Sequence, residues 1–315
     1  MGTGKKPKEE RLGATGYNKQ GDLIKIVEYN SNSDIIVEFE DGAQVKTSWQ
    51  RFVNGPLYNP NRFNNRLGME KYNNQGYLMK IVKYNSSSNI MVEFQDEYKC
   101  KIQSTWTHFQ SGLIHNPSHP NKYGGILGNK YSMKCNDKPS KEYNTWVNML
   151  IRCYDKTTKI KHPKYKDVTC CKEWLYYPNF YEWIHKQENF EVWKELSLSA
   201  LDKDILIKGN KVYGPDTCCL VPQYINSLFE SRLSGTVKKQ ILPIGVYYWK
   251  KQNKYEAKFN NKHLGRYDTA EEAFGVYKIR KEAYIKQVAQ EAYDQGTISK
   301  KCYEAMMKWE VEIED

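Results

Sequence analysis

The chain has 315 residues, and its 48 Lys and Arg against 37 Asp and Glu give a formal charge of +11. An apolar content of 39% supports several folded cores, while a mean hydropathy of -0.81 keeps the surface wet. No stretch approaches the roughly 18 apolar residues of a membrane span, which sets a membrane partner aside and leaves nucleic acid as the polyanion that so basic a field favours.

In chain order, Lys5, Lys6 and Lys8 are followed by Glu9 and Glu10 and by no apolar run, so no secretory leader is expected. An internal repeat comes next. Arg11-Leu-Gly13 recurs as Arg66-Leu-Gly68, and Gly21 through Phe39 recurs as Gly76 through Phe94. Trp49, Phe52 and Asn59-Pro60 recur as Trp106, Phe109 and Asn116-Pro117 after a two-residue insertion. Ile35, Val37 and Phe39 point one way while Ile36 and Glu38 point the other, the alternation of a half-buried strand. Asn30–Ser33 and Asp41-Gly42 read as turns. Several short strands in a small unit suggest a closed barrel that removes its own edges. The expectation is two tandem SH3-like barrels, residues 11–62 and 63–120, which bind DNA, recruit a protein partner or act as spacers.

Residues 121–140, rich in Gly, Asn, Pro and Lys, read as a linker. A middle domain over 141–232 follows. Trp146, Met149, Leu150, Cys153 and Tyr154 fall on one face of a helix, and Phe180, Trp183 and Ile184 mark a second. Trp146, Trp174, Phe180 and Trp183 read as core. The basic stretch Ser231 to Gln240 reads as flexible. Residues 241–290 then give three short strands, Ile244–Trp249, Lys254–Phe259 and His263–Tyr267, joined by Gln252-Asn253 and Asn260-Asn261 turns. Thr269 with Glu272 forms a capping box for a helix whose Ala273, Phe274, Tyr277, Tyr284 and Val288 back the sheet. A last amphipathic helix, 298–315, turns Cys302, Met306 and Trp309 inward. The fold class expected is thus α+β and multidomain. The eight scattered cysteines read as reduced thiols in a cytoplasm, that of a bacterial host given the resemblance below.

Two resemblances add to this reading. The middle domain carries Tyr143, Trp146, Met149, Arg152-Cys153-Tyr154, Cys171-x-Glu173-Trp174 and Phe180-x-x-Trp183, followed by Leu201-Asp-Lys-Asp204, Lys208-Gly-Asn210, Tyr213-x-Pro215-x-x-Cys218 and Val221-Pro222-x-x-Ile225-Asn226. In that order these motifs resemble the HNH-type endonucleases of phages and mobile elements. The resemblance implies a ββα core holding one divalent metal, Mg or Mn, on a scissile phosphate, as in homing endonucleases. It places Asp202 at the metal-binding Asp and Asn226 at the second ligand. The usual histidine base is replaced by Lys203, normally protonated and a poor base unless desolvated. Asp204 could stand in only if the strand register shifts, and the family's central Asn is not recognisable, Asp216-Thr217 standing near its place. Active nickase, non-catalytic DNA grip and an unrelated fold remain open. Cys153, Cys171 and Cys218 sit at the family's cysteine positions, beside Cys170 and Cys219, and either form a structural zinc site or are buried thiols.

In the C-terminal segment, Gly245-Val246, Tyr255-Glu-Ala257, Leu264-Gly265-Arg-Tyr267 and Thr269–Ala273 resemble the ethylene-response-factor (APETALA-type) DNA-binding domain. The resemblance implies a three-stranded sheet packed on a helix and lying in the major groove of double-stranded DNA. Tyr247, Trp249, Lys250, Lys254, Glu256 and Lys258 are then the DNA-binding candidates, with Tyr247 and Trp249 standing where the plant proteins usually carry Arg.

Overall fold

Alternating apolar residues in the repeated segment become strands with one buried face. A computed structural model describes residues 11–61, 66–229 and 242–313. It divides the mixed α+β chain into two units, residues 1–118 and 119–315. In the first, β1 (Thr15–Tyr17), β2 (Leu23–Ser31), β3 (Asp34–Phe39) and β4 (Gln44–Thr47) pair antiparallel in sequence order. β5 (Glu70–Tyr72), β6 (Leu78–Ser86), β7 (Asn89–Phe94) and β8 (Lys101–Ser104) repeat this order, with a register shift at the same place in each copy, Ile26/Glu28 and Ile81/Lys83. Ile35, Val37 and Phe39 are buried in one sheet's core, and Ile90, Val92 and Phe94 in the other's.

A short helix follows each sheet, Trp49–Asn54 capped by Ser48 and Trp106–Ser111 capped by Thr105. The recurring arginine explains why the tryptophan recurs. Arg11 lies 4.4 Å over the Trp49 ring and donates to the Tyr29 hydroxyl at 2.7 Å. Arg66 lies 4.1 Å over Trp106 and donates to the Tyr84 hydroxyl at 2.7 Å. Each stack ties strand to helix, a half-buried cation–π contact of about 1–2 kcal/mol.

In the second unit, helices Lys141–Tyr154, Tyr177–His185 and Phe190–Glu195 enclose an aromatic core of Trp146, Trp174, Tyr177, Phe180 and Trp193. Four of the five residues expected on the first helix's apolar face are buried. Tyr154 is 37% exposed and sits at the edge, its hydroxyl accepting from the Cys170 amide at 3.4 Å. Trp183 is half-buried, its indole donating to the Pro215 carbonyl. The segment expected as a linker instead packs on this core. The Ile126 amide donates to Leu175, the Tyr177 amide to Ile126, and Tyr123, Leu127 and Tyr131 lie against the buried cluster. Glycine is required at 125, where a Cβ would meet Leu150 Cδ1 at 2.4 Å.

Strands Ser199–Asp202 and Cys219–Pro222 pair antiparallel, Asp202 opposite Cys219, and helix Gln223–Leu228 follows directly. Between them Val212–Tyr213 pairs parallel with Thr169–Cys170. The C-terminal strands Val246–Trp249, Lys254–Phe259 and Lys262–Tyr267 form the expected antiparallel sheet. Helix Ala270–Asp294 begins at the Thr269–Glu272 capping box and buries Ala273, Phe274, Tyr277, Ile285 and Val288 in the apolar core it shares with the sheet and the last helix, Tyr284 being half-buried. The last helix, Lys300–Met307, is shorter than expected and buries Cys302 and Met306, with Trp309 half-buried beyond its end.

The middle and C-terminal segments, expected as separate domains, share a core. Ala200, Val221 and Ile225 belong to the same apolar cluster as Val246, Ala257, Ile285, Val288 and Cys302. Apolar faces of short elements bury most area against one another, so the strand–strand–helix element is completed by the C-terminal helices. The stretch Ser231 to Gln240 lies outside the described residues, as do residues 1–10. Among the described residues no helix is long and apolar enough to cross a membrane.

Candidate functional site

Asp202 closes its strand with a side chain only 6% exposed. Its Oδ1 accepts the backbone amides of Asp204 and Ile205, both at 2.7 Å, which turns the chain sharply after the strand. Burial pushes its carboxyl up to about 6 against these two stabilising amides. Asn210 fastens the far end of the loop, its Nδ2 donating to the Lys203 and Val212 carbonyls at 2.8 and 2.7 Å.

A pocket of about 310 Å³ opens here. Asp202, Lys203, Asp204 and Asn226 all line it, so the four candidates named from the motif come together. Arg152, Lys164, Lys208 and Lys211 join them, which sets five cationic side chains against two acidic ones. Lys203 is 6% exposed and its Nζ donates to both Asp204 carboxylate oxygens at 2.7 Å and to the Asn210 carbonyl at 2.9 Å. Its three hydrogen bonds to three acceptors tie the side chain into the loop. Arg152 reaches the pocket from helix Lys141–Tyr154 and donates to the Tyr213 hydroxyl at 3.2 Å. Lys208 pairs with Glu312 at 3.0 Å and lies 5.4 Å from the Trp309 ring centre.

Asp202 and Asn226 offer hard oxygen donors in one pocket large enough for waters and a phosphate, a set that suits Mg²⁺ or Mn²⁺. With Oδ1 committed to two amides, Oδ2 is the oxygen of Asp202 left for a ligand. Among the described residues no group of three or more His, Cys, Asp or Glu side chains converges on one point. Cys153 and Cys218 are buried in the aromatic core, where desolvation pushes both thiols up to about 12, and Cys171 is half-buried beside them.

The second candidate surface is the sheet face away from helix Ala270–Asp294. Tyr247 and Trp249 stand on it opposite Glu256 and Lys254. Glu256, 5% exposed, accepts from Lys258 Nζ and His263 Nδ1, both at 2.7 Å, with Arg266 at 3.7 Å. The Lys258 hydrogen bond holds its carboxyl below the usual range. Lys258 lies 5.5 Å over Tyr247 and Arg266 4.3 Å over Trp249. Lys254 pairs with Asp268 at 2.6 Å, and Lys250 is exposed in the turn after the first strand.

Reading from the sequence missed His263 and Arg266 on this face, and Arg152, Lys164, Lys208 and Lys211 in the pocket. His263 and Arg266 are three positions apart in sequence, so strict alternation puts them on opposite faces. A register shift opposite Ala257/Lys258 inserts one extra residue and brings both outward. For Arg152 the signal was a cation three residues past the buried Met149, flanking the apolar stripe.

Gly245 lets this sheet close on its helix, and Gly265 admits the Tyr267 ring of its own strand. Gly245 has φ +79° and a Cβ there would fall 2.0 Å from Tyr277 Cδ2; Gly265 has φ +143°. No family model matches the chain, and neither a curated protein nor a solved structure matches it.

Proposed function

We propose that this chain is a site-recognising, double-stranded-DNA-binding protein with an HNH-derived core that cleaves one strand in a metal-dependent reaction. One observation carries the reading: Asp202 and Asn226, the two positions the motif assigns to a metal, line one strongly basic pocket on a strand–strand–helix element. In this reading Asp202 and Asn226 hold Mg²⁺ or Mn²⁺ together with waters and a phosphate oxygen. The ion supplies Lewis-acid stabilisation to the phosphate and the leaving oxygen. Arg152, Lys164, Lys208 and Lys211 neutralise the flanking phosphates, and the Lys203–Asp204 pair keeps the loop in place. The C-terminal sheet delivers the pocket to its site through the major groove. The duplicated sheets of residues 11–118, read as SH3-like barrels, extend the basic footprint or recruit a host protein.

A second reading, a DNA-binding regulator without cleavage, is favoured by one feature of the same pocket. Among the described residues no histidine lines it, and Lys203 is committed to Asp204 and Asn210. Supercoiled plasmid carrying the site separates the two. Nicking that needs Mg²⁺ or Mn²⁺ and is lost in Asp202→Asn and Asn226→Ala supports the nuclease; tight binding without nicking selects the regulator. Four pocket cations on phosphates predict that log K falls with log salt at a slope of about −3.6 or steeper. Affinity that barely changes with salt overturns both readings.

A further inference from the structure

We propose that Arg266, held flat on Trp249, reads the O6/N7 edge of a guanine in the major groove and sets the sequence preference of the C-terminal sheet. This rests on the reading of that sheet as the DNA-facing surface.

Among the cations of the face, Arg266 is the one whose position suits base reading. Lys254 is held by Asp268 at 2.6 Å. Lys258 and His263 Nδ1 are each drawn to Glu256 at 2.7 Å. Lys250 stands in an exposed turn, where a flexible ammonium meets phosphate. Arg266 differs. Its guanidinium lies 4.3 Å from the Trp249 ring centre, NH1 donates to Gln252 Oε1 at 3.3 Å, and NH2 is 3.7 Å from Glu256 Oε1. Its side chain is still 34% exposed.

Those contacts fix the plane of the guanidinium and use part of a five-donor fork. A fork already fixed in orientation loses little conformational entropy on binding. Two parallel N–H groups match guanine O6 and N7, the commonest specific contact in the major groove. The residue reaches this place only because of the bulge opposite Ala257/Lys258, which pairs Arg266 with Glu256 on the outer face. Tyr247 and Trp249, on the first strand of the sheet, supply the platforms on which the cations of the face lie.

The test selects binding sites for the full-length protein from a randomised duplex pool, then measures affinity for the preferred duplex and for the same duplex with 7-deazaguanine at each guanine. The wild-type protein is expected to enrich a guanine at a fixed position and to lose ~5- to ~150-fold in affinity when its N7 is removed. Arg266→Lys keeps the charge but not the fork. It is expected to abolish that discrimination while leaving the salt slope and the melting temperature unchanged. Lys250→Ala, by contrast, weakens all duplexes alike and reduces the salt slope by about 1. Retention of the guanine preference in Arg266→Lys, or absence of any guanine preference in the wild-type protein, overturns the inference and leaves the DNA-binding reading standing. Failure of the wild-type protein to bind any duplex overturns that reading as well.

Discussion

Replacing Asp202 by Asn should make the metal-free protein more stable at neutral pH. The carboxylate is 6% exposed, and its pKa is raised from 3.8 to about 6, chiefly by desolvation. A folded-state pKa above the unfolded one means the folded form binds the proton more tightly. The contribution of Asp202 to stability is therefore greatest below about pH 4, falls as pH rises between 3.8 and about 6, and stays reduced above that window. The rise corresponds to ~3 kcal/mol. Asparagine is neutral and keeps Oδ1 as acceptor for the Asp204 and Ile205 amides, so it escapes the cost without orphaning a donor. Urea unfolding of the full chain in EDTA at pH 4, 6 and 8, followed by circular dichroism, reads the difference. The variant is expected to exceed the wild-type protein by up to ~3 kcal/mol at pH 8, with the gap closing at pH 4. A variant no more stable at pH 8, or a gap independent of pH, refutes the picture of a buried anion retained at a cost to the fold. Added Mg²⁺ should stabilise the wild-type protein and not the variant, because a ligand that binds only the folded state raises its stability.

Gly245→Ala should destabilise by about 2–5 kcal/mol, combining left-handed strain with the overpacking of a Cβ against Tyr277; a change below ~1 kcal/mol in urea unfolding would mean the ring moves aside freely. With Ellman's reagent at pH 7.5 the native protein should show one fast thiol, the exposed Cys135, with the half-buried Cys170 and Cys171 slower and the five buried thiols reacting only as the fold opens. Fast reaction of Cys153 or Cys218 would contradict the burial that raises their thiols to about 12.

What was legible in the sequence was local or repeated. The Thr269–Glu272 capping box lies within four residues, and both of its hydrogen bonds form. The hairpin turns fall at Asn253, Asn260 and Asn261, all at positive φ, a conformation asparagine tolerates. The repeat was visible as self-similarity and returns as two sheets of the same register. What escaped was set by distant partners. The ladder joining Thr169–Cys170 to Val212–Tyr213 has two residues on each side, too few for any pattern. The packing of 121–140 depends on Gly125 admitting Leu150 and Trp146, a steric fact with no periodicity. Arg266 escaped because a bulge breaks the alternation on which strand faces are read. Asp202 and Asn226 were found only through their resemblance to a motif; nothing in their spacing says that they line one cavity.

The apolar cluster shared by Val221 and Ile225 with Val246, Ala257 and Ile285 packs the pocket-bearing strand–strand–helix element and the C-terminal sheet into one core. Under the proposed function, a sheet hinged to the pocket-bearing element would tolerate variable distances along a duplex. Under the same proposal, a sheet fused to it would act as a ruler, and the phosphate meeting Asp202 would stand at a constant number of base pairs from the bases under Trp249. Inserting half a helical turn, about 5 bp, between those two stretches of DNA would put the phosphate on the opposite side of the helix, and the protein would then have to give up one contact to keep the other.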